Sequence, residues 1–84
     1  MAEKEVGAIS DFFAHVVVAG ITLTDTLRVG DRVHIKGHTT DLETTIASMQ
    51  IDNKSVAEAK KGQSVGIKVP DRVRPGDTVY KVTE

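Results

Sequence analysis

Apolar and β-branched residues recur in short segments along this chain, and turn-forming residues separate most of the segments. The segments are residues 6–9, 15–21, 31–36, 43–51, 63–69 and 77–83. Short strands at this spacing, with no long amphipathic helical pattern between them, are typical of a small barrel or sandwich. We therefore predict an all-β fold, a small closed or partly open antiparallel β-barrel of about six strands.

Two of these segments show the alternation of a strand that is buried on one face. In the segment 31–36, Val33 and Ile35 alternate with Arg32, His34 and Lys36. Since successive side chains of a strand point to opposite faces, the two apolar residues are predicted to face the core and the other three to face outward. The segment 63–69 alternates in the same way.

The segment 43–51 breaks the alternation. Ile46, Met49 and Ile51 are spaced three and then two positions apart. One extra residue near Ala47-Ser48 would keep all three side chains on the inner face, so the pattern predicts a β-bulge at that point.

One stretch, residues 55–61, has a helical signal. Ser55 is a suitable N-terminal cap, Glu58 follows three residues later as in a capping box, and Gly62 ends the pattern. A helix this short is unstable on its own, so we expect at most one helical turn. The length of 84 residues fits a single domain, 1–84, and the chain has no evident internal repeat, linker or low-complexity segment.

Composition narrows the class of protein. The 11 basic and 12 acidic residues give a formal net charge of −1, without the positive excess that duplex-DNA binders use to hold phosphates. The chain has no cysteine, which fits a reducing compartment. Its start is charged, unlike a signal peptide, and its longest apolar run, residues 16–19, is far shorter than a bilayer span. We therefore expect a cytoplasmic protein that binds neither DNA nor membranes.

Four stretches, in order, resemble a known family. Residues 27–35 read hydrophobic-x-x-Gly-Asp-x-hydrophobic-x-hydrophobic, and residues 59–67 read Ala-x-x-Gly-x-x-Val-Gly-hydrophobic. Residues 44–51 stand where that family has a bulged strand, and residues 73–79 stand at its last hairpin. They resemble the β-barrel second domain of elongation factor Tu-type translational GTPases, and above all the stand-alone translation elongation factor-like proteins. A related barrel also ends some collagenase-like peptidases.

The chain departs from translational GTPases in its nucleotide motifs. It has no Gly-x-x-x-x-Gly-Lys-[Ser/Thr] phosphate loop, and residues 53–56 lack the aspartate of the family's guanine-recognition motif. We therefore expect no nucleotide and no hydrolysis. The resemblance implies a barrel that binds another molecule.

The connection between the third and fourth segments is our first candidate binding site. It brings His38, Thr39, Thr40 and Asp41 together after Gly37, and binding residues are often found on such loops. The alternative is a solvated hairpin in which Asp41 and the threonines hydrogen-bond the backbone.

A stripe of basic residues is the second candidate. Arg32, His34 and Lys36 share an outward face, and Arg28 lies just upstream, so the stripe could neutralise a few phosphates of RNA. Ordinary barrels also carry charged outer faces, and acidic residues on neighbouring strands would cancel the stripe.

The sequence gives little support for metal or covalent chemistry. His15, His34, His38 and Asp41 are the potential metal ligands, but no pair has the close spacing of common divalent sites. No serine has a histidine at a spacing that implies a nucleophile and its base. We expect no metal, no cofactor and no enzymatic activity.

Two functions remain open at this stage. The first is a non-catalytic binding module that contacts the ribosome, tRNA or a translation-associated protein, as the resemblance implies. The alternative is an accessory barrel subunit that binds in trans to a collagenase-like peptidase or a tRNA-modifying enzyme, with Phe12, Phe13 or Tyr80 as apolar anchors. Of the two phenylalanines, one is expected to cover the barrel end and the other to lie at the rim.

Overall fold

The computed structural model describes residues 2–83. It contains β-strands and, within this range, no helix, hence none long and apolar enough to cross a membrane. The strands are β1 (Ala2–Phe13), β2 (Val18–Leu23), β3 (Leu27–Arg28), β4 (Arg32–Lys36), β5 (Asp41–Thr45), β6 (Met49–Ile51), β7 (Lys54–Val56), β8 (Glu58–Ala59), β9 (Ser64–Lys68) and β10 (Thr78–Thr83).

Eight of the strands form one antiparallel sheet in the order β5-β4-β10-β1-β2-β9-β6-β7. Strands β3 and β8 form a separate antiparallel pair. The larger sheet does not close on itself, because β5 and β7 remain its edges. The predicted all-β antiparallel fold is confirmed, and the open sheet is compatible with a partly open barrel.

Strand β1 is much longer than the segment 6–9 predicted for it. Its first half pairs with β10 and its second half with β2, and the register shifts between Glu5 and Gly7 and again between Ile9 and Asp11. Each extra residue bends and twists a strand. The two irregularities therefore let one strand hold together two parts of a curved sheet.

The inner face of the sheet carries a core of buried apolar side chains, mainly aliphatic. Its members are Val6, Ile9, Ala19, Ile21, Leu23, Leu27, Val33, Ile35, Ile46, Met49, Ala59, Val65, Ile67, Val69, Val73 and Val79. The alternation predicted for 31–36 and 63–69 is seen in β4 and β9, because the apolar residues of both strands belong to this core.

Two local predictions are wrong. Residues 55–61 form no helical turn, because Val29 N–H donates to Ala57 C=O and the segment pairs as β7 and β8. The predicted bulge near Ala47-Ser48 is instead a break between β5 and β6. Ile46 leaves the β4 pairing there: its N–H donates to Asp31 C=O at 2.9 Å, and its C=O accepts from Gly30 N–H at 2.8 Å.

A four-residue turn recurs three times, at residues 28–31, 60–63 and 74–77. In each, the last N–H donates to the first C=O, and the last side chain, Asp31, Gln63 or Asp77, accepts from the first N–H. The third residue is a glycine with φ between +89° and +97°, as a type II turn requires. The three turns are thus copies of one hydrogen-bonded unit, which the separate turn signals of the sequence do not reveal.

Candidate functional site

Arg32, His34 and Lys36 of the predicted basic stripe lie on β4 of the larger sheet, whereas Arg28 lies on β3 of the separate pair. Both arginines are paired with carboxylates. Arg28 Nε lies 2.5 Å from Glu58 Oε2, and Arg32 Nε lies 3.0 Å from Glu43 Oε2. Lys36 is exposed and stands opposite Asp41 in the β4–β5 pairing. The face therefore has mixed charge, and the acidic neighbours that would cancel the stripe are present. A binding role for these residues stays a prediction.

His34 is the centre of this face. Only 8% of it is exposed, its Nδ1 lies 2.5 Å from Glu3 Oε2, and its Nε2 contacts Asp41 Oδ1. An imidazolium donates from both nitrogens and so satisfies both carboxylates. The hydrogen bonds to Asp41 and then to Glu3 raise the pKa of His34, against the lowering effect of burial. The hydrogen bond from His34 lowers the pKa of Asp41. The two carboxylates therefore favour the protonated form of His34.

We expect this cluster to make stability depend on pH. The pKa of His34 lies above its ordinary 6.5, so its contribution is fully present below that value and is lost as the pH rises through the folded-state pKa. The pKa of Asp41 lies below 3.8, so its contribution is present above that value and is lost as the pH falls through the folded-state pKa. Urea midpoints measured from about pH 6 to pH 9 should therefore fall less in His34→Gln than in the natural protein.

His38→Gln is the matched control, since it removes an exposed histidine from the neighbouring loop. Equal slopes for the natural protein and His34→Gln would show that the cluster has no linkage to folding.

The loop that begins at Gly37 is the tip of the β4–β5 hairpin. Gly37 N–H donates to Thr40 C=O at 2.8 Å, and Thr40 is buried, whereas His38 and Thr39 are exposed. Asp41 is engaged by His34, so only His38 and Thr39 are left as free polar side chains. The structure thus brings His34 and Asp41 together and leaves the rest of the predicted loop as a short hairpin turn.

The predicted absence of a metal site stays a prediction. Across residues 2–83, no three His, Asp or Glu side chains converge as a metal site would require. His34, the most buried histidine, uses both of its nitrogens on carboxylates.

A further concave surface lies elsewhere and was not predicted from the sequence. A groove of about 610 Å³ crosses the outer face of β1, β2, β9 and β6, between the β1–β2 hairpin tip and the β6–β7 turn. It is lined by Ser10, Asp11, Phe13, His15, Val16, Val18, Gly20, Ile21, Gln50, Asp52, Asn53, Ser64, Val65 and Gly66. A glycine inside a strand often marks a close approach, so Gly20 and Gly66 were the available signal.

The three aromatic side chains differ in exposure. Phe12 is half-buried and packs against the core, whereas Phe13 is 48% exposed and lines the groove. Tyr80 is half-buried and pairs with His34 across β10 and β4. One phenylalanine thus packs against the core and the other is exposed. Of the three aromatic side chains, Phe13 is the most open to solvent.

Comparison with known proteins gives one sequence relative and a set of fold relatives. A scan against protein families finds no match. An uncharacterized protease of Methanocaldococcus jannaschii is 44% identical over 81 residues, which are 95% of this chain and 20% of that protein. The chain thus spans a fifth of the relative's length.

The fold relatives include two crystal structures of the C-terminal domain of a Geobacillus thermoleovorans protein named as a U32 peptidase. One has a TM-score of 0.89 and covers 95% of this chain and 93% of its own. The other, the selenomethionine variant, has a TM-score of 0.86 and covers 90% and 96%. Both are 18% identical to this chain, so they establish its fold alone.

These matches correct the expected kinship with translation factors, which is wrong. The relative by sequence is named a protease, and the matched folds are domains of a U32 peptidase. The expected role as a translation-factor module is wrong with that kinship, whereas binding by the residues of the stripe stays a prediction. The physical reason is that the quoted motifs centre on the repeated type II turn, which specifies a shape that unrelated functions share.

Proposed function

We propose that this chain is a non-catalytic β domain that binds in trans to the catalytic part of a U32-type peptidase. The observation that carries the proposal is the alignment of 95% of the chain with one fifth of a protein named as a protease. A domain that matches one segment of a larger enzyme is expected to provide the same binding surface as that segment. Catalysis is then assigned to the rest of the enzyme.

The side chains support the absence of catalysis. A serine or threonine nucleophile needs a base within hydrogen-bond reach. His34 has both nitrogens engaged by carboxylates. Within residues 2–83, the hydroxyls that form hydrogen bonds, those of Ser10, Thr44 and Thr83, donate to backbone carbonyls and not to a histidine. We therefore expect the purified chain to leave denatured casein intact on its own.

Binding should show as a stable complex with the catalytic part of such a peptidase, prepared without its own β domain. We expect one-to-one binding by isothermal titration calorimetry, with a Kd on the order of 1–10 μM. The affinity should change little between about 50 mM and 500 mM salt, because non-obligate interfaces are held mainly by their apolar centre. A saturating concentration of this chain should also raise the melting temperature of the catalytic part.

An unrelated β-barrel protein of similar size and charge is the control. The proposal would be contradicted by no heat of binding at about 100 μM and an unchanged melting temperature. Cleavage of casein by the chain alone, in a preparation free of contaminating proteases, would contradict the proposal that the domain is non-catalytic.

A further inference from the structure

The groove on the outer face of β1, β2, β9 and β6 has a floor without side chains at its centre. Gly20 and Gly66 face each other in the β2–β9 pairing, and Gln50 pairs with Gly66 on the other side. A strand glycine costs about 0.5–1 kcal/mol relative to alanine. Such a pair allows another molecule to approach the sheet backbone closely.

The fold itself does not need a glycine at the centre of this floor. A Cβ on Gly66 would meet only the Cγ1 of Val18, at 3.3 Å, which a turn of that half-buried side chain relieves. By contrast, a Cβ on Gly7 or Gly37 would lie below 3.0 Å from other atoms, and the three turn glycines have positive φ. Gly66 is thus the glycine that the fold requires least.

The titratable side chains on the walls of the groove are two aspartates and one histidine, His15. Asp11 and Asp52 are exposed carboxylates that line it, and no lysine or arginine is among its lining residues. Neither aspartate has an ion-pair partner within the described part of the chain, whereas six other carboxylates do. The groove is therefore complementary to a cation.

Apolar surface stands beside the two carboxylates. Phe13 and Val16 are 48% and 46% exposed and line the groove from the β1–β2 hairpin. A second cavity of about 400 Å³ shares Val16, Val18, Gln50 and Gly66 with the first and continues toward Ser48 and Lys68. The combined surface is mixed in polarity, and its second cavity includes one lysine, Lys68.

We propose that this groove binds an extended polypeptide segment that carries a lysine or arginine beside an aliphatic side chain, as a capture site for polypeptide substrate. The carboxylates take the cation, Phe13 and Val16 take the aliphatic group, and Gly66 lets the peptide backbone lie against the sheet. The substrate role rests on the proposed function, whereas peptide binding itself does not, since the residues that line the groove all belong to this chain.

The test uses the isolated chain and fluorescein-labelled peptides with the core Gly-Ser-Leu-Lys-Leu-Ser-Gly, measured by fluorescence polarisation. Two matched peptides replace the lysine by glutamate or both leucines by serine, and each should bind at least about fivefold more weakly. The double variant Asp11→Asn, Asp52→Asn should weaken binding of the lysine peptide about tenfold at low salt. Gly66→Val, which fills the floor, should weaken it further.

Glu5→Gln is the matched control, because Glu5 is an exposed carboxylate outside the groove, and it should leave the affinity unchanged. Circular dichroism melts show whether each variant is folded. If Gly66→Val does not fold, Phe13→Ser and Val16→Ser replace it as tests, because both side chains are exposed and line the groove. Equal affinity for the three peptides, unchanged affinity in the aspartate variant, or no binding at about 1 mM would overturn the proposal.

The extended segment could come from a polypeptide substrate or from the peptidase itself. A competition experiment distinguishes these two sources. The catalytic part of a U32-type peptidase, added to the labelled complex, should leave the peptide bound. Displacement of the peptide would assign the groove to the peptidase itself and overturn its role as a substrate site, while it would support the proposed function.

Discussion

Replacement of Gly7 by alanine is expected to lower the free energy of unfolding by about 3 kcal/mol, at the upper end for an overpacked site. Gly7 is buried in β1, where the strand shifts its register and exchanges β10 for β2 as its main partner. A Cβ there would lie 2.6 Å from the backbone oxygen of Thr22 and 2.9 Å from Cγ2 of Ile21. The backbone cannot yield without disturbing the β1–β2 pairing.

The loss is large relative to the whole, because a domain of this size is stable by roughly 4–12 kcal/mol. Urea unfolding followed by circular dichroism measures it. Gly66→Ala is the matched control: it is also a strand glycine, but its added methyl group meets one movable side chain, so its midpoint should change little. Similar midpoints for the two variants would mean that the sheet relaxes around Gly7.

Much of the fold could be predicted because alternation is a local property. Val33 and Ile35 of β4 lie in the core as their spacing indicates, and His34 between them faces outward. The same holds for Val65 and Ile67 of β9. Each of these segments carries its own period of two, so no knowledge of the partner strand is needed.

Features that depend on distant partners could not be predicted. The helical signal of residues 55–61 is real locally, but two strand pairings outweigh it, one with β6 and one with β3. A capping box is worth about 1 kcal/mol, which a few long-range backbone pairings exceed. Likewise, the charged start of β1 becomes a strand only because β10 pairs with it.

The candidate sites show the same difference between local features and features that depend on distant partners. Arg32, His34 and Lys36 share one face as predicted, but the carboxylates that contact Arg32 and His34 come from β1 and β5. The groove was missed because its residues are spread over four strands and two turns. Only the paired positions of Gly20 and Gly66 make them a floor, and pairing is not readable from one strand at a time.

The second large effect is expected at the contact between Gly37 and Asp77, where two turns meet. Asp77 is 5% exposed, and its Oδ2 accepts from Arg74 N–H at 2.9 Å, which fixes the carboxylate. A Cβ on Gly37 would lie 1.8 Å from Asp77 Oδ1 and 2.5 Å from its Cγ. Gly37→Ala should therefore lower the free energy of unfolding by about 2–3 kcal/mol.

A double-mutant cycle shows whether the carboxylate is the cause. Asp77→Ala alone should cost about 1–2 kcal/mol, since it removes the acceptor for Arg74 N–H. In that background the two closest atoms are gone and the remaining Cβ of residue 77 lies at 3.3 Å, so Gly37→Ala should cost little more. A coupling of about 2 kcal/mol is expected from urea unfolding of the four proteins, with Gly37→Ala much less costly in the Asp77→Ala background. Additive losses would instead place the strain of Gly37→Ala in the hairpin itself, because removal of the carboxylate would then bring no relief.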